Sequence, residues 1–91
     1  MKAFIIYRNG EKLCTAGIGT NGVLSAIVDW VGRSDKGNFN MHVGGLDSTT
    51  EEHVEWKVPA IGIGDEVSIR LIESAEADQP AERYKLTDSP T

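Results

Sequence analysis

The chain has 91 residues, which is enough for one domain and too few for a second. A content of 40% hydrophobic residues with ten glycines is ordinary for a globular protein and excludes a disordered chain. The net charge is −5, divided as +2 over residues 1–33, −5 over residues 34–73 and −2 over the last eighteen residues. No cluster of lysine and arginine exists to neutralise phosphates, so we expect no nucleic-acid partner.

The N-terminal apolar run, Ala3 to Ile6, is too short for a signal-peptide core or a membrane span. Cys14 is the single cysteine, so no internal disulfide can form, which suits a reducing compartment. These features predict a cytoplasmic protein with no membrane partner.

Residues 2–8 are rich in β-branched and aromatic types and end at Asn9-Gly10. That dipeptide supplies the two positive-φ residues of a type I′ turn, so a β-hairpin with a two-residue loop is predicted. This loop would place Ile6 opposite Leu13. One face would then hold Phe4, Ile6 and Leu13, directed to the core, and the other would hold Ile5, Tyr7 and Cys14.

Residues 17–33 change the period of the apolar pattern. Five apolar residues recur at helical spacing, namely Val23, Leu24, Ile27, Val28 and Val31. This stripe predicts an amphipathic helix, with Thr20 or Asn21 as its N-cap and Gly32 at its C-terminal end. Trp30 lies at the edge of the stripe, where we expect it to be half-buried.

The next apolar residues alternate with polar ones in two runs around residues 44–53, which predicts a second hairpin. A turn near Asp47-Ser48 would direct Met41, Val54 and Trp56 to the core. It would also place His42 directly opposite His53 on the outward face, with Glu55 close by. Facing residues have Cβ atoms about 5 Å apart, so both imidazoles could share a metal ion. A zinc site needs about four ligands, and no recognised spacing in the sequence supplies the remaining ones. We therefore assign no metal site. The candidate ligands are His42, His53 and Glu55.

Pro59 ends this hairpin, and a glycine-rich loop leads into a last strand with the sequence EVSIRLIE. Its apolar residues on both faces predict a central position in a sheet. We therefore expect a single α+β domain over residues 1–73. Residues 74–91 contain two prolines and few apolar residues, and are expected to form an acidic flexible tail.

The predicted fold is one amphipathic helix packed on a four- to five-stranded, mainly antiparallel sheet, in the order ββαβββ. This order resembles the β-grasp or ubiquitin-like fold. Ubiquitin-like and sulfur-carrier proteins end in Gly-Gly, whereas this chain ends in DSPT, so the resemblance transfers no carrier chemistry. The pattern VGGLDS…EHVEW…P…GDEVSIR is also similar to one that recurs in short bacterial proteins of unassigned function. That resemblance implies a bacterial-type cytosolic protein and assigns no site.

Catalysis is not expected. The glycines of GIGTNG lack the lysine of a phosphate-binding loop, and no Gly-x-Ser-x-Gly elbow is present. Cys14 has only Lys12 nearby to activate it, so a structural thiol is favoured. No cofactor is implied.

Two functional hypotheses follow. The first is a non-catalytic protein-interaction module, such as an inhibitor, immunity or adaptor protein, that binds another protein or associates with itself. Four apolar residues exceed what one helix on one sheet face can bury, and they are the expected interaction residues: Ile5, Tyr7, Trp30 and Ile72. The alternative is a small metal- or pH-responsive regulator that uses the facing pair His42 and His53.

Overall fold

A computed structural model describes residues 1–33 and 36–85, and these residues form strands, turns and loops only. The strands are β1 (Lys2–Arg8), β2 (Glu11–Gly17), β3 (Gly22–Arg33), β4 (Lys36–Asp47), β5 (Glu52–Trp56), β6 (Val67–Glu73) and β7 (Glu82–Lys85). The α+β, β-grasp-like prediction is therefore wrong. Within the described ranges there is no helix long and apolar enough to cross a membrane.

The strands form two antiparallel sheets, one of three strands in the order β2-β1-β6 and one of four in the order β3-β4-β5-β7. The Cα trace is 16 Å across its shortest axis, which suits two layers about 10 Å apart. The core lies between them and takes three residues from each sheet: Ile6, Cys14 and Ala16, with Val43, Val54 and Trp56. The molecule is a small β-sandwich.

The first hairpin forms at the predicted turn. Asn9 and Gly10 have φ values of 52° and 82°, as a type I′ turn requires, and Arg8 pairs with Glu11. A register shift follows between Ile6 and Tyr7, so Ile6 pairs with Cys14 instead of Leu13. This bulge turns the Cys14 side chain into the core, and the prediction that it shares a face with Ile5 is wrong.

The segment predicted as a helix is strand β3, paired with β4 over its whole length from Gly22↔Asp47 to Arg33↔Lys36. Its β-branched residues suit an extended backbone better than a helix, and β4 supplies a partner for every residue of the strand. The apolar stripe at helical spacing divides between two faces of the sheet. Leu24 and Ala26 pack against the core, whereas Val23 and Ile27 are directed outward and are exposed.

The second hairpin has the predicted faces and a different register. Val43 pairs with Trp56 and Asp47 pairs with Glu52, so four residues, 48–51, form the turn. The Asp47 carboxylate accepts a hydrogen bond from the Thr49 amide at 3.0 Å and stabilises this longer turn. The register differs from the predicted one by an even number of residues, so Val54 and Trp56 still face the core.

Strand β6 was predicted to be central, and this is wrong because in the described chain it pairs with β1 alone. It forms an edge of the three-stranded sheet with an unbroken register from Lys2↔Glu73 to Arg8↔Val67. Leu71 is consequently 72% exposed, although it lies on the face that β1 directs to the core. The apolar residues on both faces of β6 reflect an uncovered edge.

Residues 74–81, which we call the closing segment, run from one sheet to the other. Asp78 binds both: its amide donates to the Thr15 carbonyl at 2.9 Å, and its carbonyl accepts from Trp56 Nε1 at 2.8 Å. The Ala81 amide then donates to the Glu55 carbonyl at 2.8 Å and leads into β7, which pairs with β5. The predicted tail begins at residue 74, and its residues 74–85 thus contact both sheets, while 86–91 lie outside the described residues.

Candidate functional site

The residues singled out from the sequence lie on three separate surfaces. His42, His53 and Glu55 border a hollow on the outer face of the four-stranded sheet. Trp30 lies on the β3–β4 hairpin, and the other three predicted interaction residues, Ile5, Tyr7 and Ile72, lie on the outer side of the three-stranded sheet. The two histidines line the same hollow, and Trp30 is separated from its predicted companions.

The hollow has a volume of about 240 Å³ and its floor is Gly44 and Gly45. A Cβ atom at Gly44 would clash with the Val54 backbone, so β4 and β5 approach closely here because glycine occupies the position. Beside the hollow, the His53 ring stacks on Tyr84 of β7 with 5.1 Å between centroids and 27° between planes. Two imidazoles, a carboxylate and the Ser25 hydroxyl therefore border a shallow, open depression.

The observed register overturns the facing histidine pair. His42 pairs with Ile27 and His53 pairs with Leu46, so the two histidines are four residues apart along the strands. This offset corresponds to about 13 Å, too far for two imidazoles to bind one ion. No group of three or more histidine, cysteine, aspartate or glutamate side chains that could hold a metal occurs within residues 1–33 and 36–85.

The outer side of the three-stranded sheet is partly covered by the chain itself. Ile5 and Ile72 are half-buried and border a depression whose other wall is the closing segment. Tyr7 is also half-buried, and the Arg70 guanidinium lies 5.9 Å from its ring centroid in a cation–π contact. These three residues therefore offer little uncovered apolar surface.

By contrast, the far half of the β3–β4 hairpin, which holds residues 27–31, exposes apolar side chains to solvent. Four of its large apolar side chains are about half exposed or more: Ile27, Val28, Trp30 and Val31. We call this group the hairpin surface. Val28 and Trp30 lie on the core side of the sheet, beyond the part that the second sheet covers, while Ile27 and Val31 lie on the outer side. Both faces of the strand are therefore apolar and open to solvent.

The Trp30 indole has a defined position on this surface. It lies over Gly37, where a Cβ atom would come within 2.6 Å of Trp30 Nε1, and its ring centroid is 6.5 Å from that of Phe39 across the strands. Gly32 and Gly37 face each other in the ladder, and the indole covers this pair. These glycines are the signal in the sequence that an aromatic side chain lies flat on the hairpin.

An apolar groove continues from the hairpin surface toward β6. Val28 and Phe39 form one wall, and Ile61, Ile63 and Val67 form the other, around a volume of about 420 Å³. The groove is open, and Ile63 is 89% exposed at its rim.

The loop that forms the second wall of the groove is held in place by hydrogen bonds. Asp65 accepts from Asn9 Nδ2 at 2.9 Å and from the Gly62 amide at 2.8 Å, and these bonds hold the pKa of its carboxyl below the ordinary range. The groove therefore has two ordered walls.

Three comparisons with known proteins returned no match. The chain matches no protein family, no curated protein and no solved structure. The geometry of the described residues is therefore the basis for a functional proposal.

Proposed function

We propose that the protein is a non-catalytic protein-interaction module, of bacterial type and cytoplasmic, whose binding surface is the hairpin surface. The observation that carries the proposal is Trp30, a tryptophan that is 62% exposed and is flanked by exposed Val28 and Val31 on one strand. Tryptophan is enriched among the residues that dominate binding energy in protein interfaces. Large apolar side chains that are exposed together on one strand of a small domain are typical of an interaction site.

The fixed position of the indole supports this assignment. Trp30 lies over the Gly32–Gly37 pair and contacts Phe39, and these contacts favour the position that the indole occupies. Ordering a side chain at an interface costs about 0.5–1.5 kcal/mol, and a side chain that is already ordered avoids much of this cost. Trp30 is thus suited to act as an anchor at an interface.

The state of Cys14 supports a role without nucleophilic catalysis. Burial raises the pKa of its thiol, and the nearby carboxylate of Asp78 raises it further, while Lys12 acts in the opposite direction. A raised pKa disfavours the thiolate, which is the nucleophilic form. Cys14 instead contributes packing to the core beside Ile6.

The metal- or pH-responsive alternative depended on a facing histidine pair, and the register separates His42 from His53. Within residues 1–33 and 36–85, no group of three or more side chains at the hollow could hold a metal ion. We therefore advance the interaction module alone.

Affinity capture combined with sedimentation tests the proposal. Wild-type protein is immobilised and exposed to lysate, and its own mass is measured in parallel. We expect a complex, with another protein or with a second copy, that Trp30→Ser abolishes. Tyr84→Ser is the matched control, because it removes an aromatic side chain of similar exposure from β7, far along the sheet from the hairpin surface.

The Tyr84→Ser variant should keep the complex. A wild-type protein that forms no complex of either kind, or a complex that survives in Trp30→Ser, would contradict the proposal.

A further inference from the structure

Strand β3 is a free edge of the four-stranded sheet. Among the described residues it pairs with β4 only, over twelve residues without a register shift. Natural proteins usually protect such edges with charges, proline or bulges, because an exposed edge can pair with another strand. Between Gly22 and Gly32 the strand has one charged residue, Asp29, and no proline.

The hydrogen-bonding pattern shows which backbone groups this edge presents. The Ser48 amide donates to the Asn21 carbonyl at 3.1 Å. Asn21 and Ser48 lie directly before the first ladder pair, Gly22↔Asp47, and therefore form a hydrogen-bonded pair. Because such pairs alternate along an antiparallel ladder, the odd-numbered residues of β3 direct their amides and carbonyls to β4. The even-numbered residues direct theirs to the free side. Those at the centre of the edge are Leu24, Ala26, Val28 and Trp30.

The sequence of β3 is self-complementary about Ile27. If a second copy runs antiparallel along this edge with Ile27 facing Ile27, the strand pairs small with small, apolar with apolar and polar with polar. The pairs are Ala26 with Val28, Ser25 with Asp29, Leu24 with Trp30, Val23 with Val31 and Gly22 with Gly32. Every residue of the edge then has a compatible partner on its own face of the sheet.

Neighbouring registers lack this property. Centring the pairing on Asp29 would set two carboxylates directly opposite each other, which is destabilising. Centring it on Val28 would set Trp30 against Ala26 and Gly32 against Leu24, and centring it on Ala26 would set Asp29 against Val23. Of these four registers, only the one centred on Ile27 pairs Asp29 with a polar residue and Gly22 with Gly32.

We propose that the partner of the hairpin surface is a second copy of this chain, paired β3 to β3 across a two-fold axis at Ile27. The inference rests on the proposed function and names its partner. The two four-stranded sheets join into one continuous eight-stranded sheet, and Trp30 of each copy lies beside Leu24 of the other copy. Pairing an edge strand with an identical strand satisfies its backbone groups and covers its apolar side chains at once.

Charge substitutions at the axis test this arrangement. Wild-type protein should sediment at twice 9.9 kDa. Ile27→Lys should be a monomer, because two lysines would face each other on the axis, and Ile27→Glu should be a monomer for the same reason. A mixture of the two variants should regain the dimer, since opposite charges then face each other. The dissociation constant of each single variant should rise at least tenfold.

Leu71→Lys is the matched control, because it places a lysine at an exposed apolar position on β6, an edge strand of the three-stranded sheet. It should remain a dimer. Circular dichroism of each variant checks that the sheet is intact. With the sheet intact, a sedimentation mass that falls from dimer to monomer shows that the interface is lost. A mixture that stays monomeric would overturn the proposed register.

Cross-linking tests the two-fold axis directly. Under mild oxidation Ile27→Cys should form a disulfide-linked dimer, since facing Cβ atoms on an antiparallel pair are close enough for a disulfide. Val23→Cys and Val31→Cys should each fail alone and should cross-link when mixed. The wild-type chain is the control, because its Cys14 is buried.

The outcomes separate this inference from the proposed function. A wild-type protein that is monomeric at all concentrations overturns the β3 pairing. If that monomer still binds another protein through Trp30, the interaction module stands and its partner is different. If it binds nothing, both proposals fail.

Discussion

The two tryptophans lie on the same face of the same sheet and have opposite environments. Trp56 on β5 is 4% exposed, packs under the three-stranded sheet and donates from Nε1 to the Asp78 carbonyl. Trp30 on β3 is 62% exposed and lies beyond the edge of that cover. The local pattern around each is an alternating strand, so burial depends on whether a second layer lies above the residue. One half of the sheet contributes to the core, and the other half is exposed and is where we propose that a partner binds.

The largest expected effect separates these two residues. Trp56→Ala should lower the free energy of unfolding by about 3–5 kcal/mol, because it removes a large side chain from the core and leaves a cavity. Trp30→Ala should lower it by about 0.5 kcal/mol or less, since the side chain is exposed. Urea unfolding of both variants, at a concentration low enough to keep the wild type monomeric, measures the difference. An equal loss of unfolding free energy in both variants would mean that the far half of the hairpin is covered within the monomer.

A second prediction concerns the turn that closes the covered half. Asp47 is buried at the end of β4, where its carboxylate accepts from the Thr49 amide and lies 3.6 Å from Arg83. Asp47→Ala should lower the free energy of unfolding by about 1–3 kcal/mol, because the Thr49 and Thr50 amides lose their hydrogen-bond acceptor.

The Asp47→Asn variant is the control for this turn. It keeps an acceptor for the Thr49 amide and loses only the ion pair, so denaturant unfolding should show a smaller change than for Asp47→Ala. An equal change in both variants would assign the effect to the charge.

A third prediction isolates the link between the closing segment and the core. Trp56→Phe keeps an aromatic ring and removes the donor to the Asp78 carbonyl. The hydrogen bond is worth about 1 kcal/mol, and losing part of the indole adds to that figure. Hydrogen exchange should show faster exchange at the Asp78 and Ala81 amides in this variant and no change along the β3–β4 ladder. Faster exchange at the hairpin would show that the two halves are coupled.

The smallest expected effect is on pH dependence. Hydrogen bonds from Arg83 lower the pKa of Glu52, and those from Lys2 and the N-terminus lower the pKa of Glu73. A carboxyl whose pKa is lower in the folded state stabilises the fold above its unfolded pKa of about 4.3, and this contribution is lost as the pH falls through the folded value. Stability should therefore decline below about pH 5.

Thermal unfolding measured between pH 7 and pH 2 checks this decline. The variant Glu52→Gln should flatten it, because the lowered pKa of this carboxyl contributes to the decline. A decline that is identical in wild type and Glu52→Gln would show that this ion pair does not contribute.

Several features could be predicted from residues alone, because they depend on local chemistry. Asn9-Gly10 predicted the first turn, since few dipeptides adopt two positive φ values. Alternation placed Val54 and Trp56 inward and Glu55 outward, because a register change of even length preserves the faces. Features that depend on the register between two strands could not be predicted this way. The bulge that turns Cys14 inward and the four-residue turn that separates His42 from His53 depend on pairing across strands.

Strand β3 shows most clearly what each level determined. Its residues specified an apolar segment bounded by glycines, and its symmetry about Ile27 is a property of the sequence itself. Whether that segment became a helix or a strand was decided by β4, which follows it in the chain and pairs with it over twelve residues. The spacing of apolar residues is a property of a single segment, whereas a β-ladder forms only when a second strand pairs with it. The tertiary structure also decided which tryptophan is covered, because the three-stranded sheet and the closing segment extend over Trp56 and end before Trp30.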